Sequence, residues 1–131
     1  METIVTRLRD GQDLLVTIQK LAKVNNIQAG VILSGVGSLK TSNIRLPIID
    51  GETIYINPEN LEIDSLQGTV SLNGCHIHIT VSNVDSKVFG GHLMTGCIIR
   101  TTCELVLGVL EDISFKRVLD SNTGFDELLI E

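Results

Sequence analysis

The chain has no tryptophan, one tyrosine and three phenylalanines among its 131 residues. Surfaces that stack the bases of single-stranded nucleic acid are built on aromatic rings, and there is little here to build one from. Positive charge is also short. Ten Lys and Arg stand against 16 Asp and Glu, which leaves a formal charge of -6. That balance argues against the clustered basic patch with which a free-standing domain grips phosphates, so direct DNA binding is not expected. No stretch approaches the ~20 apolar residues of a membrane helix. The first ten residues mix acids and bases without an apolar run, so neither a signal peptide nor a membrane partner is expected. Cysteines are few and odd in number, and Cys75, Cys97 and Cys103 show no C-x-x-C spacing. A disulfide framework is therefore not expected. The expected compartment is the cytoplasm, with reduced thiols serving as small core residues.

What is present is oil. Hydrophobic residues make up 43% of the chain and charged residues only 20%. Disorder is excluded by that content, and the length suits one domain spanning residues 1–131. Asp10-Gly11-Gln12-Asp13 reads as a helix start, with an acidic side chain to cap free N–H groups. Leu14, Leu15, Ile18, Leu21 and Ala22 then recur at three- and four-residue spacing, the stripe of a helix of about four turns. Asn25-Asn26 ends it. Everything else reads as strands: residues 3–9, 29–39, 44–49, 52–56, 61–72, 75–81, 88–93, 96–110 and 113–119. Asp50-Gly51 is a hairpin-type turn, and Pro47 suggests a sheet edge. The expected fold class is α+β: a curved, mostly antiparallel β-sheet with a single helix packed against it.

Within the strand pattern, Glu104-Leu105-Val106-Leu107-Gly108-Val109-Leu110 is apolar at both parities. A strand with one solvated face should alternate. Burial on both faces is expected instead, and one helix cannot cover so much sheet. Another subunit would supply the remaining cover, which predicts a homo-oligomer. The competing expectation is a sandwich or barrel interior within one chain.

All three histidines fall within a short span: His76, His78 and His92. His76-Ile77-His78 lies on a strand, whose two-residue period points both imidazoles to one face. His92 follows the turn at 83–87. A hairpin centred on Asp85 places His78 directly opposite His92, close enough to interact on a shared face. A centre half a residue later would put His92 on the wrong face, and a bulge at Gly90-Gly91 would do the same. Three converging imidazoles with an open fourth position suit catalytic zinc, which would make a bound water acidic enough to act near neutral pH. The bland alternative is a set of polar residues on a partly exposed sheet. Cys75 points away from this face and is a poor ligand candidate.

Glu104 is a second anomaly, a carboxylate beside an apolar run where an unpaired charge would be expensive. The roles open to it are a fourth ligand, a catalytic acid/base group beside a metal, or the ion-pair partner of Arg7 or Arg100. Gly35-Val36-Gly37-Ser38 carries neither the third glycine of a dinucleotide loop nor a Lys-Ser/Thr pair, so these glycines read as bulge or turn positions.

Several segments together resemble the plants-and-prokaryotes-conserved (PPC) domain. They are Arg7-x-x-x-Gly11-x-Asp13-Leu14, Leu33-Ser34-Gly35-Val36-Gly37-Ser38-Leu39 and Leu61-Glu62-Ile63-x-Ser65-Leu66-x-Gly68-Thr69. Gly74-x-His76-x-His78-Ile79, Gly90-Gly91-His92-Leu93, Gly96 and Thr102-x-Glu104 complete the set. The resemblance covers nearly the whole chain, and H-x-H combined with G-G-H-L is its specific part. It implies an antiparallel sheet with one helix, assembled as a homotrimer. It also implies similarity in fold to α-acetolactate decarboxylase, whose zinc site uses three histidines, matched here by His76, His78 and His92. The decarboxylase reaction does not transfer with the fold. Plant relatives owe their DNA-binding label to a separate AT-hook with an Arg-Gly-Arg-Pro core, a tetrapeptide absent from this sequence. The expectation is a homotrimer with a His₃ zinc site that takes a small oxygen-rich ligand or substrate. The alternative is a non-catalytic regulatory or DNA-associated module acting through partner proteins.

Overall fold

Asp13 starts the one helix of the protein. In the computed structural model, which describes residues 1–131, its side chain accepts a hydrogen bond from Val16 N at 3.0 Å and its backbone is extended, as at a helix N-cap. The other carboxylate oxygen accepts from Gly96 N at 2.8 Å, so one side chain both caps the helix and ties it to a distant loop. Helix α1 runs Leu14–Val24, 11 residues, and so about three turns where the spacing suggests four. Leu14, Ile18 and Ala22 are buried along the predicted stripe. Asn25 ends the helix, its side-chain amide donating to Leu21 O.

Ten strands surround it: β1 (Glu2–Arg9), β2 (Gly30–Thr41), β3 (Ile44–Arg45), β4 (Tyr55–Ile56), β5 (Leu61–Ser71), β6 (Gly74–Ser82), β7 (Val88–Leu93), β8 (Ile98–Val109), β9 (Phe115–Leu119) and β10 (Asp126–Ile130). Eight form one sheet in the order β1-β8-β2-β5-β6-β7-β3-β4, and β9 and β10 pair separately. Every pairing is antiparallel, so the expected α+β class holds. Alternation sorts the two faces. Leu8, Leu39, Leu61, Ile63, Leu66, Val70, Ile77, Ile79, Val81, Ile99, Cys103, Leu105 and Leu107 join the helix residues in one apolar cluster. Cys97 and Cys103 are buried free thiols, and Cys75 is half-buried.

Three features depart from the sequence expectation. Strand β8 is not buried on both faces: Leu105 and Leu107 are buried, Val106 is half-buried and Glu104 is exposed. The run looked two-sided because its outward positions are Val106, Gly108 and only one charge. Glu104 therefore carries no burial penalty. It lies across from Arg7 on β1 and Val36 on β2, yet the three ion pairs of the chain involve neither it nor Arg7 nor Arg100. The segments around Pro47 and Tyr55 shrink to two-residue strands at the sheet edge. Strand β10 was not expected, because Asp126-Glu127-Leu128-Leu129-Ile130 has no alternation. It forms through its partner β9, with Ile130 opposite Phe115.

The Gly35-Val36-Gly37-Ser38 segment lies inside β2, between register irregularities at Ile32/Ser34 and Gly37/Ser38. It is a bulged strand, and no helix N-terminus follows it to hold a phosphate.

Candidate metal centre

The turn between β6 and β7 decides where the histidines go. Asn83 Oδ1 accepts from both Asp85 N and Lys87 N, and Asn83 N donates to Lys87 O, which closes a five-residue loop centred on Asp85. Pairing is unbroken from Ser82↔Val88 through Thr80↔Gly90 and Ile79↔Gly91 to His78↔His92. Gly90-Gly91 inserts no bulge. His92 thus shares the face of His76 and His78, while Ile77, Ile79 and Val81 fill the core behind them.

The three rings form a tight triangle. Ring centroids are 5.1 Å apart for His76–His78, 5.2 Å for His76–His92 and 4.4 Å for His78–His92. One ligand nitrogen from each ring lies within 4.8 Å of the other two. Zinc–nitrogen bonds of about 2.0–2.1 Å put tetrahedral ligand atoms about 3.4 Å apart, so small ring rotations bring this set into range. The donor set fits a divalent ion that accepts imidazole.

Electrostatics favour a neutral ring at His92 and at His76, the form that donates a lone pair to a metal. Desolvation, followed by the Arg45 guanidinium and the two other histidines, brings the His92 pKa down from 6.5 to about 4. His76 is lowered as well, by desolvation first, then by His78 and Arg117, with Glu127 opposing.

The neighbours of the triangle follow from strand register. Gln67 on β5, His78, His92 and Arg45 on β3 stand opposite one another in a row across four strands. In the next row on this face Thr69 pairs with His76, and Thr69 Oγ1 accepts from Arg117 Nη2 at 2.9 Å. A cavity of about 660 Å³ opens beside the histidines, and Arg45, His76, His92, Arg117, Asp126 and Glu127 contribute to its lining.

Of the expected site residues, the structure brings His76, His78 and His92 together. It does not bring Glu104 to them: β8 is separated from β6 by β2 and β5, and Glu104 does not line the cavity. Cys75 lines the cavity without joining the ligand group. Sequence reasoning missed Arg45, Arg117 and Glu127. Arg45 falls in the strand expected at 44–49, but its own sequence does not say that this strand pairs with β7 and sets Arg45 opposite His92. Arg117 and Glu127 reach the site only because a C-terminal hairpin folds back.

Other proteins share this chain's sequence and fold. Two proteins named bifunctional protein GlmU, from Synechococcus strains JA-2-3B'a(2-13) and JA-3-3Ab, are each 41% identical over 125 residues. Those residues are 95% of this chain but 20% of each relative, so the chain spans about a fifth of their length. A solved structure from Salmonella cholerae-suis superposes with a TM-score of 0.92 at 34% identity, covering 99% of this chain and 93% of that one. A structure described as a metal-containing protein, from Archaeoglobus fulgidus, gives 0.85 at 30% identity, covering 98% and 94%. The fold extends to a Staphylococcus aureus protein described as similar to α-acetolactate decarboxylase, at a TM-score of 0.57 and 12% identity over 82% of this chain and 52% of that one. The sequence model of the Plants and Prokaryotes Conserved (PCC) domain matches residues 1–111, and with the fold and the histidine motifs in place the chain belongs to that family.

Proposed function

We propose that the protein is a homotrimeric metal-binding protein. In this reading His76, His78 and His92 hold a divalent ion, zinc by the chemistry of three imidazole ligands, and an open coordination position takes a small oxygen-rich ligand or substrate. The convergence of one nitrogen from each ring within 4.8 Å carries the proposal. The metal-containing relative from Archaeoglobus fulgidus supports it. A zinc ion held by His76, His78 and His92 would supply Lewis-acid chemistry toward an oxygen ligand. The chain's own residues fix the imidazoles, keep His92 neutral and wall the cavity. Glu104 is too far along the sheet to act at the metal of its own chain, so an acid/base role for it requires a neighbouring copy of the trimer.

Direct DNA binding gains no support from a chain of charge -6, and a trimer would carry about three times that charge. The metal reading is tested by elemental analysis. Purified protein loaded with zinc and desalted is expected to retain about one ion per chain. His76→Ala and His92→Ala are each expected to lose it while keeping the far-UV spectrum of the parent, because both rings lie on the outer face of the sheet. Zinc-free parent protein after loading defeats the site.

A further inference from the structure

Arg45 and Arg117 flank the histidine triangle. Arg45 is the cross-strand partner of His92 on the β3 side, and Arg117 is held at Thr69, the partner of His76 on the β5 side. Both guanidiniums line the same cavity, and neither makes an ion pair. Arg45 Nη1 donates only to Leu46 O at 3.3 Å, and Arg117 Nη2 donates to Thr69. Most of the five N–H donors that each guanidinium carries are therefore free to meet a ligand. Asp126 and Glu127 line the cavity too, but neither lies within ion-pair distance of the two arginines. Two cations against two carboxylates leave the wall without net charge, and a divalent ion on the histidines would make it positive.

Arg117 has a particular origin. The family match ends at residue 111, whereas Arg117, Asp126 and Glu127 belong to the β9–β10 hairpin beyond it. That hairpin is fastened to the site's end of the sheet. Phe115 N donates to Gln28 O, Phe115 O accepts from Asn73 Nδ2 at 3.0 Å, and Arg117 Nη2 donates to Thr69. The aliphatic stem of Arg117 lies over Gly74, where a Cβ would come within 3.0 Å of Arg117 Cγ. A glycine therefore makes room for this arginine at the start of the strand that carries His76 and His78.

We infer that Arg45 and Arg117 form a two-sided clamp for a small anion with two or more negatively charged oxygens, a carboxylate or a phosphate, and that the C-terminal hairpin sets this specificity. The inference rests on the metal reading, because the ion supplies the excess positive charge beside the clamp. Guanidinium forks recognise such oxyanions through paired charge-assisted hydrogen bonds.

The test is isothermal titration of zinc-loaded protein with malonate and, separately, inorganic phosphate, with zinc content measured before and after. At least one anion is expected to bind, and the tighter one identifies the headgroup. Arg117→Gln and Arg45→Gln are each expected to weaken that binding about tenfold or more, the loss of one charge-assisted contact, with zinc content unchanged. Zinc removal is expected to weaken it as well. The two arginines sit on different elements, so Arg45→Gln remains informative if Arg117→Gln loosens the hairpin. Absence of zinc in the loaded parent overturns the metal reading and this inference with it. Zinc present with neither anion bound, or with binding indifferent to both substitutions, overturns this inference alone.

Discussion

His92 stands between the Arg45 guanidinium and two other imidazoles, in a partly desolvated position. Desolvation first, and then the charges of those neighbours, bring its pKa down from 6.5 to about 4. The linkage has a definite sign. Between those two values the unfolded chain binds a proton at this residue that the folded chain refuses, so folding loses stability as the pH falls. The contribution of His92 is complete above pH 6.5 and is lost progressively as the pH drops toward about 4. His76, lowered in the same direction, adds to the slope. Metal-free protein in EDTA is therefore expected to lose melting temperature between pH 7 and pH 4.5, and His92→Asn to lose less over the same interval. The quantity to read is the difference between the two profiles, because carboxylates shared by both proteins cancel in it. Parallel profiles would show that His92 titrates as it does in the unfolded chain. The same preference for the neutral ring keeps proton competition at His92 weak near neutral pH, which favours a metal there.

Element by element, legibility in the sequence followed the range of the forces involved. Helix α1 was legible because its cap and its apolar stripe are local. The β6–β7 hairpin was legible to within two ambiguities, where its turn centres and whether Gly90-Gly91 bulges, and the strand before it settles neither. The glycine at 91 answers to a segment distant in sequence. A Cβ there would lie 2.6 Å from Arg45 O and 2.8 Å from Ile44 Cγ2, so Gly91 lets β3 approach β7. The strand expected at 44–49 forms only over Ile44–Arg45, and nothing in its own composition announces that it pairs with β7, so the arginine it carries to the site went unseen. Strand β10 was missed for a related reason: its pairing with β9, and not its own pattern, makes it a strand. Gly91→Ala is expected to push β3 outward and to destabilise the protein by about 1–3 kcal/mol, the range for overpacking. Zinc retention is expected to survive, because the added methyl meets β3 and not the histidine rings. Urea denaturation and zinc content measured on the same sample separate the two effects. An alanine variant of parental stability would mean that β3 is not held where the close approach requires.

For the whole molecule, the outer face of the sheet has two ends with different needs. One end carries the histidines. At the other, β1, β8 and β2 present Val5 opposite Val106, with Val36 beside Glu104. Val5 is 72% exposed and Val36 58% exposed. Leu33 is also exposed and lies near Gly108 on this face. Such a cluster on a chain of 43% hydrophobic residues is more apolar than scattered surface valines. The proposal of a homotrimer therefore rests on a different basis from the one the sequence suggested. Leu105 and Leu107 are already buried by the chain's own core, and the surface that lacks cover is the outward row of valines. Closed assemblies bury the same patch on every copy, so one substitution in it acts once per subunit. Val36→Lys is expected to leave the isolated fold unchanged, because Val36 is mostly exposed. In the assembly it places a charge into each interface. Light scattering is expected to give the mass of three chains for the parent and of one for Val36→Lys. If Glu104 then serves a neighbour's metal centre, the monomeric variant keeps its zinc while any ligand effect of Glu104→Gln disappears. A parent that is monomeric at every concentration removes both the trimer and the only route by which Glu104 reaches a histidine site.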